Sequence, residues 1–168
     1  MLKTLAALVV LLASRSASAQ PPLPATDVTA ADIRSFINAL PRDAVSDRPI
    51  RVVDVGGYKV GTYGVFRPKA SQQEAILHQT KVAEVYYMLT GAATLVTGGT
   101  IASPTRNAAG ITGTSVRGPR IEGGVSRRVA PGDVVIIPGG TPHWWSNLEG
   151  DIQYLIYRPD PEGLQRIK

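Results

Sequence analysis

The sequence predicts an all-β domain, a sandwich or closed barrel of antiparallel strands preceded by one short helix. Three observations lead there. From Asp47 onward, short runs rich in Val, Ile, Thr and Tyr recur with Gly, Pro, Asn and Asp between them. Only one segment, ahead of those runs, carries apolar residues at helical spacing. At 168 residues with no cysteine, the chain is large enough for one core and must hold it together by packing, a metal or a partner subunit rather than by disulfides.

In chain order, residues 1–19 read as a secretory signal peptide cleaved after Ala19. Lys3 gives a positive start, Leu5 to Ala13 an apolar run, and Ala17-Ser18-Ala19 a small-residue cleavage site. The run falls short of the ~20 apolar residues that span a bilayer, and no second run of that length follows. The mature protein is therefore expected in a periplasm or outside the cell, without a membrane segment. Cleavage removes Lys3 and Arg15, which leaves 16 basic against 13 acidic residues, a net +3. So mild an excess, with no basic stripe and no recognisable module, argues against nucleic acid as a partner.

Residues 20–28 are proline-rich and predict an extended leader. Thr29 or Asp27 can then cap a helix with Ile33, Phe36, Ile37 and Leu40 along one face, and Pro41 ends it. The single domain spans 29–168, with strands predicted near 50–55, 58–66, 75–80, 84–89, 92–97, 126–129, 134–137, 144–146 and 152–157. Residues 98–124, rich in glycine, serine and threonine, predict a long insertion loop of the kind that serves as a lid, a binding loop or an arm to another subunit. Arg117, Arg120, Arg127 and Arg128 in or just after it form either a solvated basic face or a grip on an anionic ligand.

The stretch GDVVIIPGGTPHWWSN, Gly132 to Asn147, organises the rest. It reads as strand, tight turn, strand: Val134 to Ile137 form the first, Pro138-Gly139-Gly140 the turn, and His143 opens the second. His143 and His78 are the only two histidines, each in a predicted strand beside a turn. Glu84 follows His78 across a turn at Lys81 to Ala83. If those two strands pair as a hairpin, His78 and Glu84 project from one face.

These segments resemble the two motifs of the cupin superfamily. Gly132, Pro138, Gly140, His143 and Asn147 meet every fixed position of the second motif, and His78, Glu84 and Gly91 stand in register with the first. Thr80 replaces that motif's second histidine and Gln72 its opening glycine. The resemblance covers roughly residues 50–158. It implies a cupin-like antiparallel β-barrel of jelly-roll type, with a divalent transition metal held by His78, Glu84 and His143. Thr80 has a neutral hydroxyl, a poor ligand, and is expected to line the site. Two imidazoles and one carboxylate suit iron, manganese, zinc, nickel or copper alike.

Alternation along the strands adds Tyr86, Met88 and Trp145 as candidates to line a cavity, with Tyr63, Gln72 and Tyr154 as further ones. The resemblance also implies dimerisation through edge strands. Three functions follow: an exported metalloenzyme of dioxygenase, lyase or isomerase type acting on a small molecule, a non-catalytic small-ligand-binding barrel, or a structural barrel. No separate acid-base residue selects among the chemistries.

Overall fold

The computed structural model describes residues 22–110 and 113–168, and the signal peptide expected at 1–19 lies outside them. Thr29 caps helix α1 (Ala30–Asn38). Its side chain accepts from the Asp32 N–H at 3.2 Å while the Asp32 carboxylate accepts the Thr29 N–H at 3.1 Å, a reciprocal capping box. The apolar face of α1 carries Ile37 and, just beyond the helix, Leu40 onto Phe66, with Ile33, Phe36 and Leu89 around them.

Thirteen strands follow among the described residues: β1 (Ser46–Asp54), β2 (Lys59–Arg67), β3 (Ala75–His78), β4 (Glu84–Thr90), β5 (Ala93–Thr97), β6 (Thr100–Ile101), β7 (Thr105–Gly110), β8 (Gly113–Gly118), β9 (Ile121–Glu122), β10 (Val125–Val129), β11 (Val134–Ile137), β12 (His143–Leu148) and β13 (Ile152–Asp160). One sheet has the order β1-β2-β13-β4-β11, the other β10-β5-β12-β3-β8-β7, and β6 pairs with β9 apart from both. Every pairing in the two large sheets is antiparallel.

The core lies between the two sheets. Tyr63 and Val65 of β2, Tyr86 and Met88 of β4, and Ile152, Tyr154 and Ile156 of β13 face Leu95 of β5 and Trp145 and Leu148 of β12. These residues alternate along their strands, as a half-buried pleated surface requires. Among the described residues the all-β expectation with a single N-terminal helix holds.

Two expectations are corrected. Residues 98–124 do not form a structureless loop. β7 and β8 make a hairpin whose second strand pairs with β3, from Ala75↔Gly118 to His78↔Ser115, and so widens the second sheet. Backbone ladders hold β7 and β8, and Ile101, Val116 and Ile121 pack with Ala75 and Val96; so few apolar residues at irregular spacing left hydrophobic periodicity without a signal.

The second correction concerns β3 and β4, which do not pair as a hairpin. β3 lies in one sheet and β4 in the other, so residues 79–83 carry the chain across the domain. The turn after Ile137 makes the same crossing, from β11 to β12. The two crossings touch: a Cβ on Gly139 would fall 2.6 Å from the Lys81 carbonyl carbon, and Gly140 takes φ +74° to complete the turn.

Candidate metal centre and cavity

Crossing the domain at 79–83 turns His78 and Glu84 towards each other from opposite sheets, and β12 brings His143 in beside His78. The imidazole rings of His78 and His143 lie 5.5 Å apart between centroids. His78 Nε2 is 3.9 Å from Glu84 Oε1 and His143 Nε2 is 3.3 Å from Glu84 Oε2. One donor atom from each of the three falls within 4.8 Å of the others. Glu84 and His143 are buried, His78 partly so.

The protonation states follow from the surroundings. Burial pushes His78 down to about 4 against the pull of Glu84, and burial likewise lowers His143, so both rings are neutral near pH 7. Burial alone would raise the Glu84 carboxyl. Arg158 and the two imidazoles outweigh it and hold the group well below the usual carboxylate range.

His143 Nδ1 lies 3.0 Å from the Thr141 carbonyl oxygen. A carbonyl only accepts, so the ring hydrogen sits on Nδ1 and the Nε2 lone pair points at an ionised carboxylate oxygen. Two lone pairs facing each other at 3.3 Å repel, and a cation placed between them turns that repulsion into binding. The donor set therefore fits a divalent metal, and the Nδ1–Thr141 contact is the outer hydrogen bond that metal-bound histidines commonly make.

Glu84 is also gripped from outside the triad. Arg158 of β13, 3% exposed, donates from Nε to Glu84 Oε1 at 2.7 Å, and its Nη2 lies 2.7 Å from the same oxygen. Nη1 and Nη2 donate to the Asp47 carboxylate at 3.0 and 2.6 Å, and the guanidinium lies 4.3 Å from the centroid of the Tyr63 ring. The Tyr86 hydroxyl donates to Glu84 Oε2 at 2.9 Å. Burial, with the negative charge of Glu84 beside it, raises Tyr86 well above its ordinary value, so it keeps its proton and acts as a donor.

The triad opens onto a cavity of about 590 Å³, a size that suits a small molecule. No protein-family model matches the chain, and no curated protein matches it. Solved structures do. BH2720 from Bacillus halodurans superimposes with a TM-score of 0.50 at 10% identity, covering 83% of this chain and 84% of that one. The DMSP lyase DddQ from Ruegeria pomeroyi DSS-3 gives 0.48 at 16% identity, with 84% and 77% covered. An RmlC-like cupin family protein from Methanocaldococcus jannaschii (mj0764), with a double-stranded β-helix fold, gives 0.43 at 14%, with 73% and 89% covered. Likeness at these identities is likeness of fold. The fold is a two-sheet antiparallel β-barrel like that of BH2720.

Within this barrel the sequence-predicted residues take distinct places. His78, Glu84 and His143 come together, and Tyr86 joins them on the cavity wall with Gln72. Met88 and Trp145 lie in the closed core and not on that wall, 1% and 3% exposed. The Trp145 indole stacks on Tyr86 at 6.0 Å and donates to the Tyr154 hydroxyl at 3.2 Å. Alternation had placed both residues inward correctly, but the core fills that part of the interior. Thr80 does not line the cavity either: it stands in the crossing segment, where its hydroxyl accepts the Val82 N–H at 3.2 Å.

Of the arginines in or after 98–124, Arg117 pairs with Glu74 at 3.3 Å on the cavity rim. Arg120 pairs with Glu122 and Arg128 with Glu149, and Arg127 donates to the Thr97 hydroxyl. Arg158, Asp47 and Arg67 are among the cavity residues that the sequence did not point to. A signal for two of them existed. Arg158 continues the inward register of Ile152, Tyr154 and Ile156, and Arg67 that of Tyr63 and Val65. A charged residue in an inward register marks a site rather than a core.

Proposed function

We propose that this barrel is a metal-dependent enzyme of the cupin kind, acting on a small molecule in the cavity beside His78, Glu84 and His143. The observation that supports this reading is the convergence of two neutral imidazoles and one ionised carboxylate, with the His143 Nε2 lone pair directed at Glu84. A divalent transition metal, iron, manganese, zinc, nickel or copper, bound by these three residues would supply a Lewis acid with open positions for substrate or water.

The protein's own groups do the rest. Thr141 fixes the His143 ring through its carbonyl. Arg158 and Tyr86 fix the Glu84 carboxylate from two sides, so that little reorganisation accompanies ligand binding. Tyr86 keeps its proton and is no general base. Dioxygenase, lyase and isomerase chemistries all suit such a centre.

Metal content by plasma mass spectrometry tests the reading, on protein beginning at Gln20 and purified without a histidine tag. Near-stoichiometric metal that is lost in both His143→Ala and Glu84→Gln supports it. Wild-type protein that carries no metal and takes none up at neutral pH overturns it. One observation favours a second reading, a metal-free binding barrel: the Arg158 guanidinium already sits on Glu84 Oε1 and offsets the charge a metal would use. Export after cleavage at Ala19 belongs to the same proposal, and the N-terminal residue of the native protein, read by mass spectrometry, checks it.

A further inference from the structure

Two arginines face the barrel interior, and they are treated oppositely. Arg158 has two carboxylates, Asp47 and Glu84, bound directly to its guanidinium. Arg67, at the end of β2 and partly buried, has none. Its Nε donates to the Tyr154 hydroxyl at 2.9 Å and its Nη1 to the Gln73 side-chain oxygen at 2.8 Å. Both acceptors are neutral. The N–H groups on Nη2 have no protein acceptor among the described residues, although a guanidinium presents five donors in a fixed fork. Arg67 lines the same cavity as His78, Glu84 and His143.

No carboxylate among the described residues is bonded to this cation, and Asp47 acts on it only through space. Arg158 with Asp47 and Glu84 carries a net −1, which a divalent metal would reverse to +1. Arg117 and Glu74 cancel each other across 3.3 Å. Arg67 and the exposed Arg48 remain, neither with an ion pair among the described residues. Withdrawing a guanidinium from water without a counter-charge is costly, and a forked donor set is the geometry that carboxylates match with two parallel bonds.

The mount is rigid. Gln73 Nε2 donates to the Ser71 carbonyl at 2.7 Å, which fixes the amide so that its oxygen meets Arg67. The Gln73 carbonyl accepts from the Trp144 indole at 2.9 Å. Tyr154 is fully buried and accepts a second bond from Trp145. An arginine held by two neutral, oriented acceptors with its outer edge bare towards a cavity is a preorganised anion seat.

We infer that the ligand of this cavity is a small organic anion whose carboxylate sits on the outer edge of Arg67, with its remainder directed towards the His78–Glu84–His143 centre. This rests on the reading of the cavity as a small-molecule site and deepens it by naming the charge class of the molecule. Neutral sugars and cationic amines lacking an acid group are excluded as preferred ligands.

Isothermal titration calorimetry with butyrate, succinate and benzoate, and with their amides as neutral isosteres, tests it. The proteins are wild type, Arg67→Met and Arg67→Lys, each chelator-treated and again metal-loaded, with circular dichroism confirming the fold. At least one carboxylate binds the chelator-treated wild type, about tenfold more tightly than its amide, and loses about tenfold in Arg67→Met. Arg67→Lys, which keeps the charge but not the fork, falls between, and it carries the comparison if Arg67→Met does not fold.

Amides that bind as well as acids, an unchanged affinity in the Arg67 variants, or no binding by any of the three acids overturns the inference. The two readings fail separately. Carboxylate binding that needs metal and ignores Arg67 puts the anion on the metal and removes only the Arg67 seat. Arg67-dependent binding to a protein that takes up no metal removes only the metal centre.

Discussion

Arg158 and Glu84, 74 residues apart in sequence, meet in the barrel interior with two guanidinium nitrogens each 2.7 Å from one carboxylate oxygen. Glu84 is thus a metal ligand candidate that already has a fixed cation on Oε1, the oxygen nearer His78. The arrangement lets an ionised carboxylate stay buried without metal, and it weakens the carboxylate as a donor once a metal arrives.

Arg158→Met therefore has two expected effects. The metal-free variant loses about 3 kcal/mol or more of stability in urea denaturation, because Glu84 is left buried with no cation against it. The rise in melting temperature on adding metal becomes larger than in wild type, since the metal then supplies the missing positive charge. An unchanged metal-induced rise would separate Arg158 from the site.

Acid weakens the metal-free fold through the histidines. His78 is held at about 4 in the folded protein against an ordinary 6.5, and His143 is lowered as well. Above pH 6.5 neither state of the chain binds these protons. Below it the unfolded chain takes them up and the folded chain does not, so stability falls with falling pH until His78 titrates near 4. The loss from His78 is on the order of 3 kcal/mol. Urea midpoints of chelator-treated protein between pH 7 and 4 measure it, and His78→Gln should flatten the curve.

Gly139→Ala should disturb the site from outside it. The added methyl meets the Lys81 carbonyl carbon at 2.6 Å and its Cα at 2.8 Å, which is backbone that cannot swing aside. Separating the two crossings is expected to cost about 1–3 kcal/mol and to reduce metal occupancy. A variant with wild-type melting temperature and wild-type metal content would contradict this.

Thr29→Ala provides the opposite case. It removes the acceptor for the Asp32 N–H and should cost about 1 kcal/mol. Helix α1 packs on Phe66, away from the cavity, so metal content and carboxylate binding are expected to stay at wild-type levels. A loss of either would show that the helix couples to the site.

How much was legible in the sequence depended on how local the determinant is. Pro138, Gly139 and Gly140 announce a turn, in which Gly140 takes positive φ and Gly139 lets Lys81 approach, and His143 could be located from them. Thr29 and Asp27 both offered a cap for the helix, and the structure uses Thr29. Period-two alternation told which face His78 and Glu84 occupy but not which strand each pairs with, so a crossing between sheets was read as a hairpin. β7 and β8 were invisible because their strands are held by ladder bonds from residues such as Thr114 and Ser115, with few apolar side chains to set a period. Arg67 and Arg158 were legible only as charges in inward registers, and their contrasting partners were not legible at all.

The paired crossings also bear on how the site comes into being. His78 and His143 belong to one sheet and Glu84 to the other, and Arg158 reaches Glu84 from a strand that enters 74 residues later. No fragment of the chain and no single sheet holds a binding centre. Closure of the barrel is a contact of long sequence separation and so a slow step in folding. Metal uptake during refolding should then lag behind the appearance of β structure and coincide with burial of Trp145, which makes the centre a reporter of the last event in assembly.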